Sequence, residues 1–511
     1  MTWRNYLLLA LLGLALPFGI AQFQHFPGYL DSDYYFSGGV QLAQGKGFTE
    51  PYLWNYLDDP MGLPHPSHTY WMPLSSIIAA FGMWVTGQTN YAAGRIGFLI
   101  LAALMPAVTA ALAYRFTRRK DLALTSGLLA VFSIYYAPFM AVPDNYGPYL
   151  VLGGLYFLTL SSRSTYSYFA LGLLAGLLTL SRSDGLLWLG LTFLIILFRF
   201  ISDRKAGAAS INLFLALCGF SLIMGPWFWR TYSIYGTPLA PGGRYLLWLK
   251  NYDETFIYPA DQLTMQTWLA QGWRKIFSSY LGALRFNLLN AFAAQGGIFL
   301  FPFILIGIWQ NRKDERIRVA GFAWLILLFV MTVIFPFAGA RGGFFHSGAA
   351  LQPLWWTLAP LGLEVVVAAA RKRDMFTPDA FKVFRVALVG IAVLMTGLIF
   401  YLRVLSGWGE GEQFYPSVES FLQQSGIQPG DVVMVRNPPG YYLMTGRSAI
   451  VVPYGDESSM LAVAERYHAK YVIIEAAGAA GPIKTVYDNE HSPYLHFLGE
   501  VNDARIFQVQ P

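Results

Sequence analysis

The sequence has very little cysteine and very little charge. Cys218 is its only cysteine and lies within an apolar run, so the chain has neither a disulfide framework nor a thiolate metal site. Charged residues make up 13% of the 511 residues, about half the share of a typical soluble domain. Hydrophobic residues make up 55%, and the mean hydropathy is +0.43. The composition therefore excludes an ordinary soluble protein and predicts an integral membrane protein.

Motifs for nucleotide binding and for serine hydrolysis are also missing. The sequence has no P-loop, no G-x-G-x-x-G after a predicted strand and no G-x-S-x-G, so chemistry driven by ATP or by a serine nucleophile has no support. The net charge of +6 and the pI of 9.1 are compatible with nucleic-acid binding. The basic residues, however, lie in short clusters between apolar runs, which is a signal of membrane topology. We therefore expect no nucleic-acid partner.

Eleven apolar runs are predicted to cross the membrane. The first, at 6–21, follows Arg4 and is short enough to be the core of a signal peptide, but we favour a retained helix. A further short run from Tyr70 to Trp84 is predicted to be an interfacial or re-entrant helix, because a proline lies near its start. The other ten spans are predicted at 91–114, 121–139, 147–161, 166–181, 184–200, 209–229, 294–309, 317–337, 349–370 and 380–402.

Lysine and arginine gather in every second connection between these runs, as the positive-inside rule requires of cytoplasmic segments. The amino terminus and the basic connections are therefore predicted to be cytoplasmic. The segments 23–90, 140–146, 230–293 and 338–348, and the short turn at Arg182, are predicted to be extracytoplasmic, in a bacterial or archaeal cell membrane. The basic clusters are Arg115, Arg118, Arg119 and Lys120; Arg163; Arg199, Arg204 and Lys205; Arg312, Lys313, Arg316 and Arg318; and Arg371, Lys372 and Arg373.

The pattern changes after residue 401, where hydrophobicity falls and short β-branched runs alternate with amphipathic helices. Strands are predicted at 432–435, 449–452 and 471–474, and helices near 416–425 and 457–468. We predict a transmembrane domain over 1–405 and a small α/β domain over 406–511. An odd number of spans places this second domain outside, where it either binds an acceptor or serves as a scaffold.

Ionisable residues beside apolar helices are candidates for function because burying charge near a membrane is unfavourable. A mixture of carboxylates and cations suits a site that takes a proton from an acceptor while it stabilises a departing phosphate. Asp31 and Asp33, in the stretch Gly28–Tyr35, are also compatible with a solvated turn or with a divalent cation as cofactor. The candidates on the predicted outer face are Asp31, Asp33, Asp58, Asp59, His65, His68, Asp144, Arg182, Asp184, Arg230, Arg244, Arg341 and His346.

Several of these residues have a structural alternative. Asp144, between two spans, suits both a site and an Asx turn or helix cap. Arg182 and Asp184 are predicted to pair with each other at a hairpin. Arg341 and His346 follow a span and are flanked by glycines; we favour phosphate binding over an arginine that extends to the membrane surface.

Two histidines and a long outer loop complete the set of candidates. His65 and His68 are three residues apart, but the proline between them argues against a helical zinc pair, which leaves substrate contact or exposure. The loop at about 231–293 is long enough to need a function or a structure of its own. We predict that it covers the site from the lipid side, with a passive strap as the alternative. Its notable residues are Arg244, Lys250, Tyr252, Trp268 and Trp273.

The order of several short motifs resembles the GT-C membrane glycosyltransferases, in particular the branch with protein O-mannosyltransferases and the aminoarabinose transferase of lipid A. The resemblance covers most of residues 1–402. The matching segments are Asp31-x-x-Tyr34-Tyr35, the stretch 41–48, His65-Pro66, Tyr70-Trp71-x-Pro73-Leu74, and the stretch Gly225–Tyr232 followed by Tyr235-Gly236-Thr237-Pro238.

The resemblance implies an α-helical polytopic membrane protein of GT-C fold, with about 11 transmembrane helices, outer juxtamembrane helices and a C-terminal α/β domain. It implies transfer of a sugar from a polyprenyl-phosphate donor to a protein, lipid or glycan acceptor. By this resemblance Asp31 is the base and Asp144 a second polar residue of the site. The usual second acid is Ser32 here, and Asp33 is displaced by one position. With Asp31 as the catalytic residue, the expected substrate-binding residues are Asp33, Tyr35, His65, His68, Asp144, Arg244, Lys250, Arg341 and His346.

Two other functions fit parts of the pattern. A lipid-linked oligosaccharide polymerase or ligase would have a similar fold and a broader groove. A transporter or flippase for lipid-linked sugars would also place polar residues at helix ends. The acids gather on one face, however, and a transporter has little need of an outer α/β domain, so we favour the transferase.

Overall fold

Helices make up most of the chain, and a small mixed sheet lies near its C-terminus. The structure is a computed structural model that describes residues 1–203, 206–377, 379–479, 481, 483–489 and 492–510. Arg204 and Lys205, two of the basic residues assigned to a cytoplasmic connection, lie outside these ranges. The positions of the other predicted elements are compared below with the described ones.

Seven helices among the described residues are long and apolar enough to cross a membrane, which confirms an integral membrane protein. Large apolar side chains such as Leu11, Phe214 and Leu394 are exposed along them. Exposed apolar faces of this extent are expected where lipid is the solvent. The seven are Trp3–Ala21, Tyr91–Thr117, Ser183–Ser202, Gly207–Tyr235, Glu315–Ile334, Pro336–Arg371 and Ala380–Leu405.

The other four predicted spans correspond to shorter helices. Runs 147–161, 166–181 and 294–309 contain Tyr146–Leu160, Thr165–Ser181 and Phe301–Gln310. Run 121–139 contains the α-helix Lys120–Val131 and then the 3₁₀ helix Ile134–Phe139. Each of these α-helices is shorter than the roughly 20 residues that span a bilayer comfortably. The total of eleven spans therefore stays a prediction.

The described α-helices have the bounds Trp3–Ala21, Leu30–Ala43, Leu74–Thr86, Tyr91–Gly94, Ile96–Thr117, Lys120–Val131, Tyr146–Leu160, Thr165–Ser181, Leu186–Asp203, Ala206–Tyr235, Met265–Ala270, Trp273–Asn290, Phe301–Gln310, Glu315–Phe329, Pro336–Ala338, Phe344–Gly348, Gln352–Arg371, Ala380–Phe400, Tyr415–Gln424, Pro438–Thr445, Glu457–Tyr467 and Ile483–Asn489. Short 3₁₀ helices at Pro241–Trp248, Asp253–Phe256 and Ala260–Gln262 give the long outer loop its own structure.

The helix Leu30–Ala43 lies in a segment for which the sequence predicted no individual helix, although the resemblance to GT-C enzymes implied juxtamembrane helices. Tyr29 precedes the helix in an extended conformation, and Asp31 and Asp33 lie in its first turn. Acids are favoured there because the helix dipole is positive at that end. The helix packs against Leu74–Thr86, where Gly39 and Ala79 allow close approach. The predicted short helix near 74–84 is thus confirmed, and it supports the helix that carries Asp31.

The C-terminal sheet has five strands within the described residues. In chain order they are β3 (Val432–Val435), β4 (Ala449–Val451), β5 (Ala469–Glu475), β6 (Leu495–Val501) and β7 (Ala504–Val509), after a two-stranded ribbon of β1 (Thr49–Glu50) and β2 (His65–Pro66). The spatial order is β4-β3-β5-β7-β6, with β4, β3 and β5 parallel and the other pairs antiparallel. The three predicted strands are confirmed, whereas the β6–β7 hairpin was not predicted.

The segment between the helices Leu30–Ala43 and Leu74–Thr86 joins this sheet to the membrane bundle. The backbone N–H of Leu53 donates to the carbonyl of Ala449 (2.9 Å), and the N–H of Val451 donates to the carbonyl of Leu53 (2.7 Å). Leu53 and Tyr56 are buried in the same apolar cluster as strands β4 and β5. The sheet is therefore held in one orientation, with the carboxyl ends of its parallel strands toward Asp31. The domain boundary at 405/406 stays a prediction.

Candidate active site

Asp31 lies where the helix Leu30–Ala43 begins, at the edge of a cavity of about 500 Å³. Its side chain is half-buried, and no other side chain within the described ranges hydrogen-bonds to it. Burial raises the pKa of Asp31 to about 6, and the positive charge of Arg182 opposes part of that rise. A half-buried carboxylate without a partner is suited to accept a proton from a bound molecule.

Asp144 and His346 lie beside Asp31, and the three side chains offer ligand atoms within 4.8 Å of one another. The Tyr29 hydroxyl donates to Asp144 Oδ2 (2.6 Å), and the backbone N–H of Asn145 donates to Asp144 Oδ1 (2.6 Å). Burial, and then the charge of Asp31, raise the pKa of Asp144 to about 7. Both oxygens of Asp144 are thus already hydrogen-bonded. Asp144 is therefore held in place where the helix Tyr146–Leu160 begins.

His346 is fixed by hydrogen bonds on both ring nitrogens. Its Nδ1 lies 2.6 Å from Asn145 Oδ1, which only accepts, so the proton is on Nδ1. Its Nε2 lies 2.7 Å from the Tyr146 hydroxyl, which then donates to it, and the two rings stack at 4.0 Å. His346 is therefore neutral in this arrangement. It joins the segments that carry Asp144 and Arg341.

Arg182 supplies a positive charge to the same site. The predicted pair with Asp184 is confirmed, with Arg182 Nε 2.8 Å from Asp184 Oδ1. The guanidinium also lowers the pKa of Asp31 and of Asp144. Its two terminal amino groups make no hydrogen bond with any described residue, so they stay available to an anion. The sequence indicated only a hairpin pair, because the proximity to Asp31 comes from packing between distant helices.

Arg341 lines the same cavity as Asp31. It lies in a helical segment with a kink at Gly342, whose φ of 118° is open to glycine and strained for other residues. The guanidinium is exposed and lies over the ring of Tyr252, 4.8 Å from the centroid. Both residues line the cavity together with Asp31. The guanidinium is thus exposed to the cavity, and phosphate binding by Arg341 stays a prediction.

Asp33 points toward the C-terminal domain. Asn437 Nδ2 donates to Asp33 Oδ2 (2.8 Å) and to Glu412 Oε1 (3.2 Å). The two carboxyl groups are 1% and 4% exposed, and two carboxylates cannot share a buried site unless one of them is protonated. Burial and the charge of Asp33 raise the pKa of Glu412 to about 11, so the proton is on Glu412. Asp33 therefore joins its helix to the C-terminal domain.

His65, His68 and Tyr35 are buried within the fold. His65 lies 3.0 Å from the carbonyl of Tyr52 and 3.1 Å from Glu50, and burial lowers its pKa to about 4. The Ser76 hydroxyl donates to the Tyr35 carbonyl, so His68 Nε2 donates to Ser76 Oγ (2.9 Å). Burial also lowers the pKa of His68, to about 3. Burial of both histidines shows that the alternative of mere exposure was wrong, and substrate contact stays a prediction that the proposed site does not use.

Tyr35 has a supporting role next to Asp144. The Asn145 amide donates to the Tyr35 hydroxyl (3.3 Å), and Tyr35 is 1% exposed. Tyr35 is not among the side chains that line the cavity. Tyr35 therefore positions Asn145, which in turn bonds Asp144 and His346.

The long outer loop at 231–293 reaches the cavity, but not through Arg244 and Lys250, the two residues that were predicted to do so. Tyr252, Asp253 and Phe256 line the cavity. Lys250 pairs with Glu254 at 3.1 Å, and Arg244 is exposed and bonds the neighbouring Tyr245 at 2.8 Å. Neither basic residue lines the cavity. The loop thus reaches the site, whereas its two basic residues lie outside it.

A divalent cation fits this set of side chains poorly. Asp31, Asp144 and His346 are chemically suitable ligands. Both nitrogens of His346, however, are bonded to Asn145 and Tyr146, and both oxygens of Asp144 already accept hydrogen bonds. Only Asp31 retains free oxygen atoms. We therefore assign no step to a metal ion.

The fold and the site define this chain as an integral membrane protein of GT-C fold, with a carboxylate-bearing cavity between the helical bundle and an α/β domain. Two GT-C glycosyltransferases of known structure superpose on it. The oligosaccharyltransferase of Archaeoglobus fulgidus in its apo form has a TM-score of 0.57 and 12% identity, over 92% of this chain and 69% of the other. ArnT from Cupriavidus metallidurans, bound to undecaprenyl phosphate, has a TM-score of 0.53 and 13% identity, over 98% and 97%.

A third structure gives the same result. It is the archaeal oligosaccharyltransferase AglB from Archaeoglobus fulgidus in complex with an inhibitory peptide and a dolichol-phosphate, with a TM-score of 0.54, 12% identity and coverage of 92% and 70%. No protein-family model and no curated protein sequence matches the chain. At such low identity the likeness establishes the fold.

Proposed function

We propose that this protein is an inverting glycosyltransferase that moves a sugar from a polyprenyl-phosphate donor to an acceptor on the extracytoplasmic face of the membrane. The observation that carries the proposal is Asp31, a half-buried carboxylate without a described partner, in a cavity that Arg341 also lines and close enough to Arg182 for its charge to lower the pKa of Asp31. A base beside cations is the combination that such a transfer needs.

The reaction is a direct displacement. The acceptor hydroxyl attacks the anomeric carbon of the donor sugar, its proton goes to Asp31, and the bond from that carbon to the phosphate oxygen breaks. Polyprenyl phosphate leaves as an anion, which Arg341 and Arg182 stabilise through charge-assisted hydrogen bonds. The leaving phosphate needs no proton, so one base suffices. A single displacement inverts the anomeric centre.

The donor class is supported by ligands of proteins with the same fold. ArnT from Cupriavidus metallidurans holds undecaprenyl phosphate, and AglB from Archaeoglobus fulgidus holds a dolichol-phosphate. Both are polyprenyl phosphates, and both guanidinium groups here suit a phosphate. We also propose that residues 1–405 form eleven spans and that residues 406–511 form an outer domain, as the positive-inside pattern indicates.

The Asp31→Asn variant tests the assignment. General base catalysis is worth roughly 10² to 10⁴ in rate, so we expect a loss of that order in a folded protein. Membrane lipids and envelope glycans from cells with the wild type, the variant or no protein are compared by mass spectrometry. We expect the variant to resemble the deletion, with a lipid phosphate sugar accumulating and a modification missing. Near-normal transfer by a folded Asp31→Asn protein would overturn the role of Asp31.

The control variant is Asp261→Asn, which removes an exposed carboxylate of the loop at 231–293 that does not line the cavity. It should transfer the sugar at the wild-type rate. If deletion of the protein changes neither the lipid-linked sugars nor the envelope glycans, the proposed function itself is wrong.

A donor that carries an oligosaccharide is the second candidate. A cavity of about 500 Å³ holds more than one sugar, and a similar fold occurs in an oligosaccharyltransferase. The mass of the transferred unit distinguishes a glycosyltransferase for single sugars from a polymerase or ligase.

A further inference from the structure

The cavity at Asp31 has a second wall, made by the C-terminal domain. Arg436 and Asn437 follow strand β3, Val452 and Pro453 follow β4, and Glu475 ends β5; all of them line the cavity. These three strands are parallel, and their carboxyl ends therefore form one crevice, the usual position of a ligand in open α/β sheets. The domain thus presents a ligand crevice directly to Asp31.

A second cavity of about 460 Å³ adjoins this crevice. Gly411, Arg436, Glu475 and Ala477 line both cavities. The Glu475 side chain is held in place by the Tyr415 hydroxyl at 2.9 Å, whereas the Arg436 guanidinium is exposed and makes no hydrogen bond within the described residues. The two cavities therefore adjoin at Arg436 and Glu475, where a ligand longer than one sugar would pass from one to the other.

The charges along this path argue against an anionic acceptor. The described acids and guanidinium groups along it are six acids and two arginines; Arg341 lies at the donor end, Glu412 carries a proton, and burial raises the pKa of Glu475 to about 7. The remaining acids still outnumber Arg436, and like charges disfavour a phosphorylated or carboxylated acceptor. Carboxylate oxygens are instead good acceptors for sugar hydroxyl groups. The six acids are Asp31, Asp253, Glu410, Glu412, Glu475 and Asp503.

The backbone around the crevice argues against a peptide acceptor that binds as an added strand. Strand β4 is the sheet edge nearest to the cavity. Leu53 already exchanges two backbone hydrogen bonds with this strand, and the N–H of Tyr454 donates to the carbonyl of Phe256 (3.0 Å). Strand addition needs a free edge, and this edge is covered by the protein's own outer segments. The rings of Tyr252, Phe256 and Tyr454 instead offer flat apolar faces within the cavity.

We propose that the crevice is the acceptor site and that it binds an uncharged glycan chain, which runs from Asp31 past Arg436 and Glu475 into the second cavity. The proposal rests on the proposed function. It assigns the C-terminal domain to acceptor recognition and not to a purely structural role. It also predicts that the transferred sugar is joined to another sugar.

A blocking experiment tests the site. In a Cys218→Ser background, Ala477→Cys is placed where the two cavities meet, and Gln424→Cys on the exposed end of a helix outside both cavities. Each purified full-length variant is labelled with a bulky maleimide in proteoliposomes. Two rates are measured: hydrolysis of the polyprenyl-phosphate sugar by water, and transfer in extracts of envelopes that lack the protein.

We expect the label at residue 477 to slow transfer by about tenfold or more while hydrolysis continues, and the label at 424 to change neither rate. Equal loss of both rates, or loss of neither, would overturn the acceptor site. Linkage analysis of the product then tests the class of acceptor. A bond between two sugars supports the proposal, and a bond to an amino-acid side chain or to a charged lipid head group overturns it. If no sugar is transferred by the unlabelled protein, the proposed function fails instead.

Discussion

At the scale of single residues, Asp31 and Asp144 differ because their neighbours differ. Asp144 accepts two hydrogen bonds of 2.6 Å, while Asp31 accepts none from a described side chain. Burial raises the pKa of Asp31 to about 6 and that of Asp144 to about 7. Because Asp31 has free oxygens, we propose that it is the carboxylate that takes the proton of the acceptor. Asp144, for which the sequence left both a role in the site and a helix cap open, is held in place by its two hydrogen bonds.

The pH dependence of transfer follows from this assignment. Only the ionised form of Asp31 accepts a proton, and its raised pKa of about 6 means that the base form is lost as pH falls through that value. We expect kcat/KM to fall about tenfold per pH unit below pH 6, and to level off above pH 7. The measurement is the initial rate of transfer in proteoliposomes between pH 5 and 8, with protein stability checked at each pH. A kcat/KM that does not fall below pH 6, on the acid limb of the pH profile, would contradict the role of Asp31.

The Arg182→Gln, Asp184→Asn double variant tests the effect of Arg182 on Asp31. It removes the positive charge of Arg182 without leaving Asp184 as an unpaired buried carboxylate. Arg182 lowers the pKa of Asp31, so its removal should move the acid limb to higher pH. An unchanged limb in this variant would mean that Arg182 does not act on Asp31.

At the scale of elements, the helix Leu30–Ala43 is joined to the C-terminal domain by the group of Asp33, Glu412 and Asn437. Asn437 bonds both acids, and the raised pKa of Glu412, about 11, means that the folded protein keeps a proton there. The unfolded chain releases this proton above a pKa of about 4.5. The free energy of unfolding therefore falls as pH rises above 4.5, because the folded state binds more protons than the unfolded state.

Replacement of Glu412 by glutamine keeps both hydrogen bonds and removes the titration. We expect Glu412→Gln to raise the midpoint of thermal unfolding at pH 8 and to change it little at pH 4.5. The measurement is thermal unfolding of the purified protein at the two pH values. Glu410→Gln, at an exposed position, is the control and should show no such difference. A lower midpoint for Glu412→Gln at pH 8 would contradict a shared proton.

The long outer loop makes a second prediction at this scale. Lys250 is paired with Glu254, and Arg244 lies outside the cavity, whereas Arg341 lines it. We expect the Arg244→Ala, Lys250→Ala double variant to bind a polyprenyl-phosphate sugar as the wild type does. Arg341→Ala should weaken binding by about tenfold, since a charge-assisted hydrogen bond is worth about 1.5–3 kcal/mol. If the double variant binds the donor more weakly and Arg341→Ala does not, the donor phosphate is bound by the loop and not by Arg341.

At the scale of the whole molecule, the membrane topology is still a prediction, because seven described helices are long enough to span and four predicted spans are shorter. Eleven spans place the C-terminal domain and the loop at 231–293 on one side and the basic connections on the other. We expect an impermeant maleimide to label Ser417→Cys and Gln262→Cys in intact spheroplasts. Lys313→Cys should be labelled only after the membrane is opened. All three variants carry Cys218→Ser, and any other pattern would contradict the topology.

The lengths of the apolar runs and the positions of the basic clusters predicted an integral membrane protein. Both can be read along the chain without knowledge of tertiary contacts. The three parallel strands were predicted for a similar reason, as each is a short buried run. The β6–β7 hairpin was missed because polar residues such as His496 and Glu500 interrupt its apolar pattern. The helix Leu30–Ala43 was missed because it lies in an aromatic segment rich in glycine, where local propensity is weak.

The sequence by itself determined that this protein lies in a membrane, that its C-terminal part is α/β and that Asp31 is a candidate base. Only the tertiary structure decided which polar residues meet. Arg182 lies beside Asp31, Glu412 shares a proton with Asp33, and Arg436 faces the cavity, whereas the histidines at 65 and 68 are buried elsewhere. The reason is that contacts between residues as far apart as 33 and 437 depend on how helices and sheet pack, and no local pattern records that packing.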